Sequence, residues 1–202
     1  MNMLRNFTIR FVMLAILGIF CLMWAGVGLY STWSLSRVSD GNEVDRQLVK
    51  QMTVLSQGND QYFRFVTRLS RAMEVKAAGG TPDLASAQQA LDNMGKKLAE
   101  MKAISPGPMD PQVSSRVIGA WQALLEQGVT PQMQQAKLGA LDGYRQQANN
   151  VTPTLSRAFG AAAEEFNSAA AKSLDSTRVV VDGLTSMTRT VIIVATIVGL
   201  LI

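Results

Sequence analysis

The chain has 202 residues, 48% of them hydrophobic and 17% charged, with a net charge of +4, one cysteine and no histidine. The charged share lies below the roughly 25% usual for soluble domains, so part of the chain is expected to lie outside water. Without histidine, and with Cys21 alone in an apolar run, no Ser-His-Asp triad, Cys-His pair or His/Cys zinc site can be assembled. The sequence therefore reads as a non-enzyme with no cofactor and no metal, and a single cysteine leaves no disulfide framework.

Residues 1–10 form a short basic tail. Residues 11–33 are expected to cross a membrane, because the uncharged run from Phe11 to Tyr30 is about 20 residues long, enough for a hydrocarbon core of about 30 Å. Arg5 and Arg10 precede this run and no acid does, which places the tail in the cytoplasm, with Tyr30 and Trp33 at the far interface. A cleaved signal peptide is the competing interpretation; the run is longer than such segments, and no clear A-x-A site follows it. At the other end, residues 190–202 read TVIIVATIVGLLI, about 20 Å as a helix and too short to cross. This segment is expected to be the start of a truncated second membrane helix, with a buried C-terminal helix as the alternative.

Between them, residues 34–189 are nearly neutral once Arg5 and Arg10 are set aside, and nothing in them points to a nucleic acid. A first long helix is expected from Leu35 to Ala78, with Leu48, Met52, Leu55, Tyr62, Val66, Leu69 and Met73 as its packing seam, Asn59 as a polar interruption, and Gly79-Gly80 as its C-terminal cap. Four X-Pro pairs, Thr81-Pro82, Asp110-Pro111, Thr130-Pro131 and Thr152-Pro153, each place an oxygen acceptor before a proline, as at an N-cap followed by the first helical position. They predict a second helix from about Pro82 to Ile104, stopped by Ser105-Pro106-Gly107-Pro108, and a third from about Pro111 to Ala136, bent or broken near Pro131. A short piece from Leu141 to Ala148 follows, and a last helix starts near Pro153 and runs into the C-terminal apolar segment. The fold class is all-α: an antiparallel up-down-up-down four-helix bundle flanked by two transmembrane helices.

This layout resembles the sensor half of bacterial methyl-accepting chemotaxis proteins of the aspartate and serine receptor type. Leu69-Ser70-Arg71, Met101-Lys102-Ala103-Ile104-Ser105-Pro106, and Pro153-Thr154 followed by Gly160 and Glu165-Phe166 are similar to that family. The resemblance implies a homodimer in the bacterial inner membrane with its sensor domain in the periplasm. It also implies a small ligand held between subunits by first-helix arginines and by a threonine at the start of the fourth helix, onto which Thr154 falls. Cytoplasmic regions outside this sequence would contact a coupling protein and a kinase. Where the amino-acid receptors space three arginines as i, i+5 and i+9, this chain has Arg64, Arg68 and Arg71, while Val66 and Val75 stand at the outer family positions.

On a helical projection Arg64, Arg68 and Arg71 fall within roughly 60°, nearly opposite the seam of Tyr62, Val66, Leu69 and Met73. They face water, paired with Asp60 and Glu74, or they face a partner subunit, where an anion would relieve their repulsion. Thr154, in the first turn of the expected last helix, either offers free backbone N–H groups to an anion or is simply a first-turn residue behind the Thr152 cap, and Arg157, on a similar face, either contacts the ligand or is only solvated. The expected ligand sites are therefore Arg64, Arg68, Arg71, Thr154 and Arg157, and the expected ligand is a small organic acid, a di- or tricarboxylate or an amino acid. Two other functions fit the same layout: the input domain of a sensor histidine kinase, and a ligand-free module that docks a periplasmic binding protein.

Overall fold

The computed structural model describes residues 2–105, 107 and 109–201. Met1 of the tail, Pro106 and Pro108 of the expected helix stop, and Ile202 of the second apolar segment lie outside the described residues, as do the side chains of 2–8, 10 and 201, Arg5 and Arg10 among them. The described residues are all-α, and none of them is in a strand. Helix α1 spans Asn2–Ala77, α2 Ala85–Ala103, α3 Pro111–Ala123, α4 Thr130–Lys137, α5 Leu141–Gln146 and α6 Thr152–Leu201. Two π-helical turns, Leu124–Val129 between α3 and α4 and Gln147–Val151 between α5 and α6, make each of those pairs continuous.

The chain divides into two compact units, Val44–Leu174 and a second made of Met1–Glu43 with Asp175–Ile202. The first unit is the four-helix bundle. Its core joins Leu48, Phe65 and Leu69 of α1, Met94 and Leu98 of α2, Val117 and Trp121 of α3, Met133 of α4, and Phe159 and Phe166 of α6. The seam expected on α1 is rotated slightly in the fold, because Phe65 is buried while Val66 is only partly so. Asn59 is exposed, contrary to its expected place in the seam, and Gly58 takes the inward position. A side chain at 58 would overlap the indole of Trp121, so only a glycine leaves that ring its space. The glycine cap after α1 forms as expected: Gly79 has φ +84°, and Gly80 N–H donates to Val75 O at 2.9 Å.

The four expected N-caps fare differently. Asp110 accepts from Gln112 N–H at 2.9 Å with Pro111 at the first position of α3. Helix α2 does not begin at Pro82; Asp83 Oδ1 accepts from Ala85 N–H at 2.9 Å, so the aspartate takes the starting role expected of Thr81. At Thr130-Pro131 and Thr152-Pro153 the α-helical segments α4 and α6 start where expected, but each follows directly on a π turn, so neither threonine caps a free end and the helical backbone is not broken there. There the backbone shifts to i→i−5 bonding, with Thr130 N–H on Leu125 O and Thr152 N–H on Gln147 O, which carries the helix past each proline. Pro131 cannot donate to the preceding turn, and Gln147 Nε2 donates instead to Gln127 O at 2.6 Å and Gly128 O at 3.2 Å.

In the second unit, α1 and α6 each contain a stretch long and apolar enough to cross a membrane, and the apolar side chains of that stretch on α1 face outward. Ser34 Oγ lies 2.6 Å from Thr188 Oγ1, and Thr188 donates to Leu184 O, so Ser34 is the donor of the pair. Gly41 permits close approach beside it, since a Cβ there would stand 2.8 Å from Val181 Cγ2. The guanidinium of Arg37 lies over the Trp33 ring at 5.6 Å.

Candidate functional site

Arg64, Arg68 and Arg71 lie together on the outer face of α1, as their spacing predicts, and with Phe63 and Thr67 they line a shallow depression of about 270 Å³. Arg64 Nε donates to Asp60 Oδ2 at 2.6 Å, an exposed i,i+4 pair of small energetic weight. Arg68 Nη1 donates to Ser86 O at 3.0 Å, which ties it to the start of α2. Among the described residues Arg71 has no carboxylate partner. Phe63, at the edge of this face, is 59% exposed.

Thr154 and Arg157 are not part of that depression. Thr154 is exposed, and its backbone environment differs from the expected one: it sits inside a helix that begins at Leu141, so it has no free helix N-terminus. The first turn of a helix binds anions because its N–H groups are unpaired, and the π turn at Gln147–Val151 removes that condition. Arg157 lines a second, larger groove of about 700 Å³, which Thr154 does not line.

That groove runs between α1, which supplies Tyr62, Val66 and Ser70, and the continuous α5–α6 helix, which supplies Tyr144, Arg145, Asn149, Thr152, Ser156 and Arg157. Gln132 of α4 closes its floor; it is 3% exposed, and its Oε1 accepts from the buried Thr152 hydroxyl at 3.2 Å. Arg157 Nε makes a long bond to Pro153 O at 3.3 Å, and Arg145 Nη1 lies 3.7 Å from Asp142 Oδ1, both at exposed positions. Among the described residues lining the groove none is acidic. The Glu100 carboxyl, held below its usual pKa chiefly by the hydrogen bond from Lys97, lines neither depression.

Arg145, Gln132 and Asn149 are the polar groove residues that the sequence reading does not single out. The signal for them is present: Arg145, Asn149, Pro153 and Arg157 repeat every four residues and share one face of a continuous helix. An assumed break at Asn149-Asn150-Val151 hides that repeat.

A family model described as the Tar ligand binding domain homologue matches residues 3–174. Among solved structures, the N-terminal ligand-binding domain of a Salmonella enterica protein described as a methyl-accepting chemotaxis protein is similar, with 65% identity and a TM-score of 0.64. The match covers 66% of this chain and 98% of that one. No curated protein matches the chain.

Proposed function

Since the chain belongs to the family of Tar ligand binding domain homologues, the ligand-binding domains of chemoreceptors, we propose that it senses a small organic anion across the interface of a homodimer. The observation that carries this is the outer face of α1, where the 59% exposed Phe63 stands among Arg64, Arg68 and Arg71. Aromatic and arginine side chains are the residues that anchor protein interfaces. Three guanidinium groups brought against a partner would repel unless an anion compensates them, and each can bind a carboxylate bidentately. Thr154 and Arg157 on α6 supply the facing side of the site. The ligand is a di- or tricarboxylate or an amino acid.

In this proposal residues 11–33 and the segment from 190 onward span the bacterial inner membrane, and residues 34–189 form the periplasmic sensor. Helix α6 is unbroken from Thr152 to Leu201, so a small displacement of it on ligand binding can cross the bilayer without a change of fold. The ligand acts through its different affinity for the two positions of that helix. The signal then passes to a coupling protein and kinase through cytoplasmic regions outside this sequence.

Calorimetric titration of the full chain in detergent micelles with succinate, malate, citrate and aspartate tests the proposal. At least one acid is expected to bind, with a loss of about tenfold or more in Arg68→Ala and Arg71→Ala, as for a charge-assisted hydrogen bond. If no acid binds, or if binding survives both substitutions, the proposed interface site is wrong.

A further inference from the structure

We infer that the groove between α1 and α6 beside the two apolar segments holds one phospholipid, with its phosphate on Arg189 and an acyl chain along the groove; this rests on the membrane-spanning reading above. The groove lies wholly within the second unit and has a volume of about 430 Å³, in the range of small-molecule sites. Leu35 and Val38 of α1 and Ile192 and Ile193 of α6 supply its apolar walls. Leu35 is 70% exposed and Ile192 and Ile193 are 43% and 48% exposed, so the described chain leaves these walls open.

The polar groups of the lining define what can enter. Ser34 donates to the Thr188 hydroxyl at 2.6 Å, Thr188 donates to Leu184 O, and Thr185 donates to Val181 O at 2.8 Å. All three hydroxyl protons are thus used inside the protein. Arg189 differs: among the described residues its guanidinium has no carboxylate partner, and no acid lines the groove. The nearest acid on its own helix, Asp182, is seven residues away, about 10 Å along the axis, and Asp40 lies six residues beyond Ser34 on α1. An occupant therefore needs one anionic group for Arg189 and an apolar remainder for the walls. A guanidinium takes a phosphate through two parallel N–H···O bonds, which suits the first requirement.

Depth identifies the source of such a molecule. Arg189 directly precedes the apolar segment 190–202, and Ile192 and Ile193 lie three and four residues further on, about 5 Å toward the hydrocarbon. On α1 the groove starts at Ser34, next to Trp33 and four residues after Tyr30, aromatic residues of the kind that mark the headgroup level. At that level an arginine head meets phosphates while the residues below it meet acyl chains. Arg37 lies over the Trp33 ring at 5.6 Å and does not line the groove, so Arg189 is its single charged group. A second copy packed symmetrically on this face would bring its own Arg189 toward the same patch, and the like charges would repel.

The test reconstitutes the full chain in vesicles of phosphatidylcholine and phosphatidylglycerol, extracts it in mild detergent, and counts retained phospholipid by native mass spectrometry. One phosphatidylglycerol per chain is expected to remain. Retention should fall at least tenfold in Arg189→Ala, recover in part in Arg189→Lys, and fall again in Val38→Trp, which fills the groove and leaves the arginine in place. Both positions lie outside the bundle unit, so the bundle should melt as in the parent. The assignment is overturned if no phospholipid remains, if retention is unchanged in Arg189→Ala and Val38→Trp, or if diacylglycerol, which lacks the phosphate, is retained equally. A Val38→Cys/Cys21→Ser chain that oxidises to a disulfide-linked dimer in the vesicles puts a second copy over the groove and also overturns it. An alkaline carbonate wash separates this inference from the reading beneath it. A chain that washes off the vesicles refutes the membrane spans and the lipid site together, and a chain that stays without retained phospholipid refutes the lipid site alone.

Discussion

Replacing Gly58 with alanine puts a methyl group where the indole of Trp121 already lies. A Cβ at that position would overlap Trp121 Cη2 and Cζ2 and stand 3.1 Å from Cε2. The ring cannot swing aside into water, because Trp121 is 0% exposed and is backed by Phe159 at a centroid distance of 5.5 Å. Overpacking a well-filled core costs roughly 1–3 kcal/mol and more where nothing yields, as here. Against this, alanine recovers about 1 kcal/mol of helix propensity over glycine. A net loss of about 2 kcal/mol follows, which for a domain of this size lowers the melting temperature by roughly 4–8 °C. The assay is thermal unfolding of the full chain in micelles followed by circular dichroism. Gly58→Ala and Trp121→Phe should be coupled, the double variant losing less than the two singles together by about 1 kcal/mol. A Gly58→Ala chain that melts at or above the parent, or a strictly additive double variant, would refute the seating of Trp121 against α1.

Three further outcomes are expected. Asp110→Ala removes the acceptor of Gln112 N–H and should cost about 1 kcal/mol, whereas Thr81→Ala should stay within about 0.5 kcal/mol because α2 starts after Asp83; paired melting curves decide this. Gln147→Ala strips the side-chain donor from the Gln127 and Gly128 carbonyls, costing about 1 kcal/mol and speeding amide exchange around 124–132, as read by hydrogen–deuterium exchange. The chain has no histidine, so affinity for a fully ionised dicarboxylate should be flat from about pH 7 to 8; a sharp titration step in calorimetry across that window would point to a group other than arginine in the binding.

Much of the fold is legible in the sequence. The apolar run from Phe11 to Tyr30 announces a long exposed apolar helix, and Gly79-Gly80 marks the end of α1 in the place where a left-handed residue is needed. The placement of Arg64, Arg68 and Arg71 opposite the core is equally legible, since it depends only on the helical repeat. The X-Pro pairs were a weaker guide. Asp110-Pro111 caps a helix, while Thr152-Pro153, chemically similar, lies within one. What separates the two is the chain on either side: α3 is preceded by non-helical residues, whereas at Thr152 the preceding π turn presents Gln147 O to its N–H.

By itself, then, the sequence determined what local periodicity and composition can determine: helices, their apolar faces, one segment long enough for a membrane with a second, shorter apolar segment, and an arginine-bearing face turned away from the core. Tertiary structure decided whatever depends on a partner from another helix. Trp121 selects Gly58, not Asn59, as the inward residue of α1, because an indole of that size leaves no room for a side chain beneath it. Gln147 donates to the Gln127 and Gly128 carbonyls in the turn before Pro131, where the proline supplies no N–H. The π turn before Thr152 sets the rotation of α5 against α6, and that rotation places Arg145 on the same groove as Arg157. The four-residue repeat that joins those two arginines is written in the sequence, but it counts as one face only once the structure shows that the π turn keeps the helix continuous through 147–151.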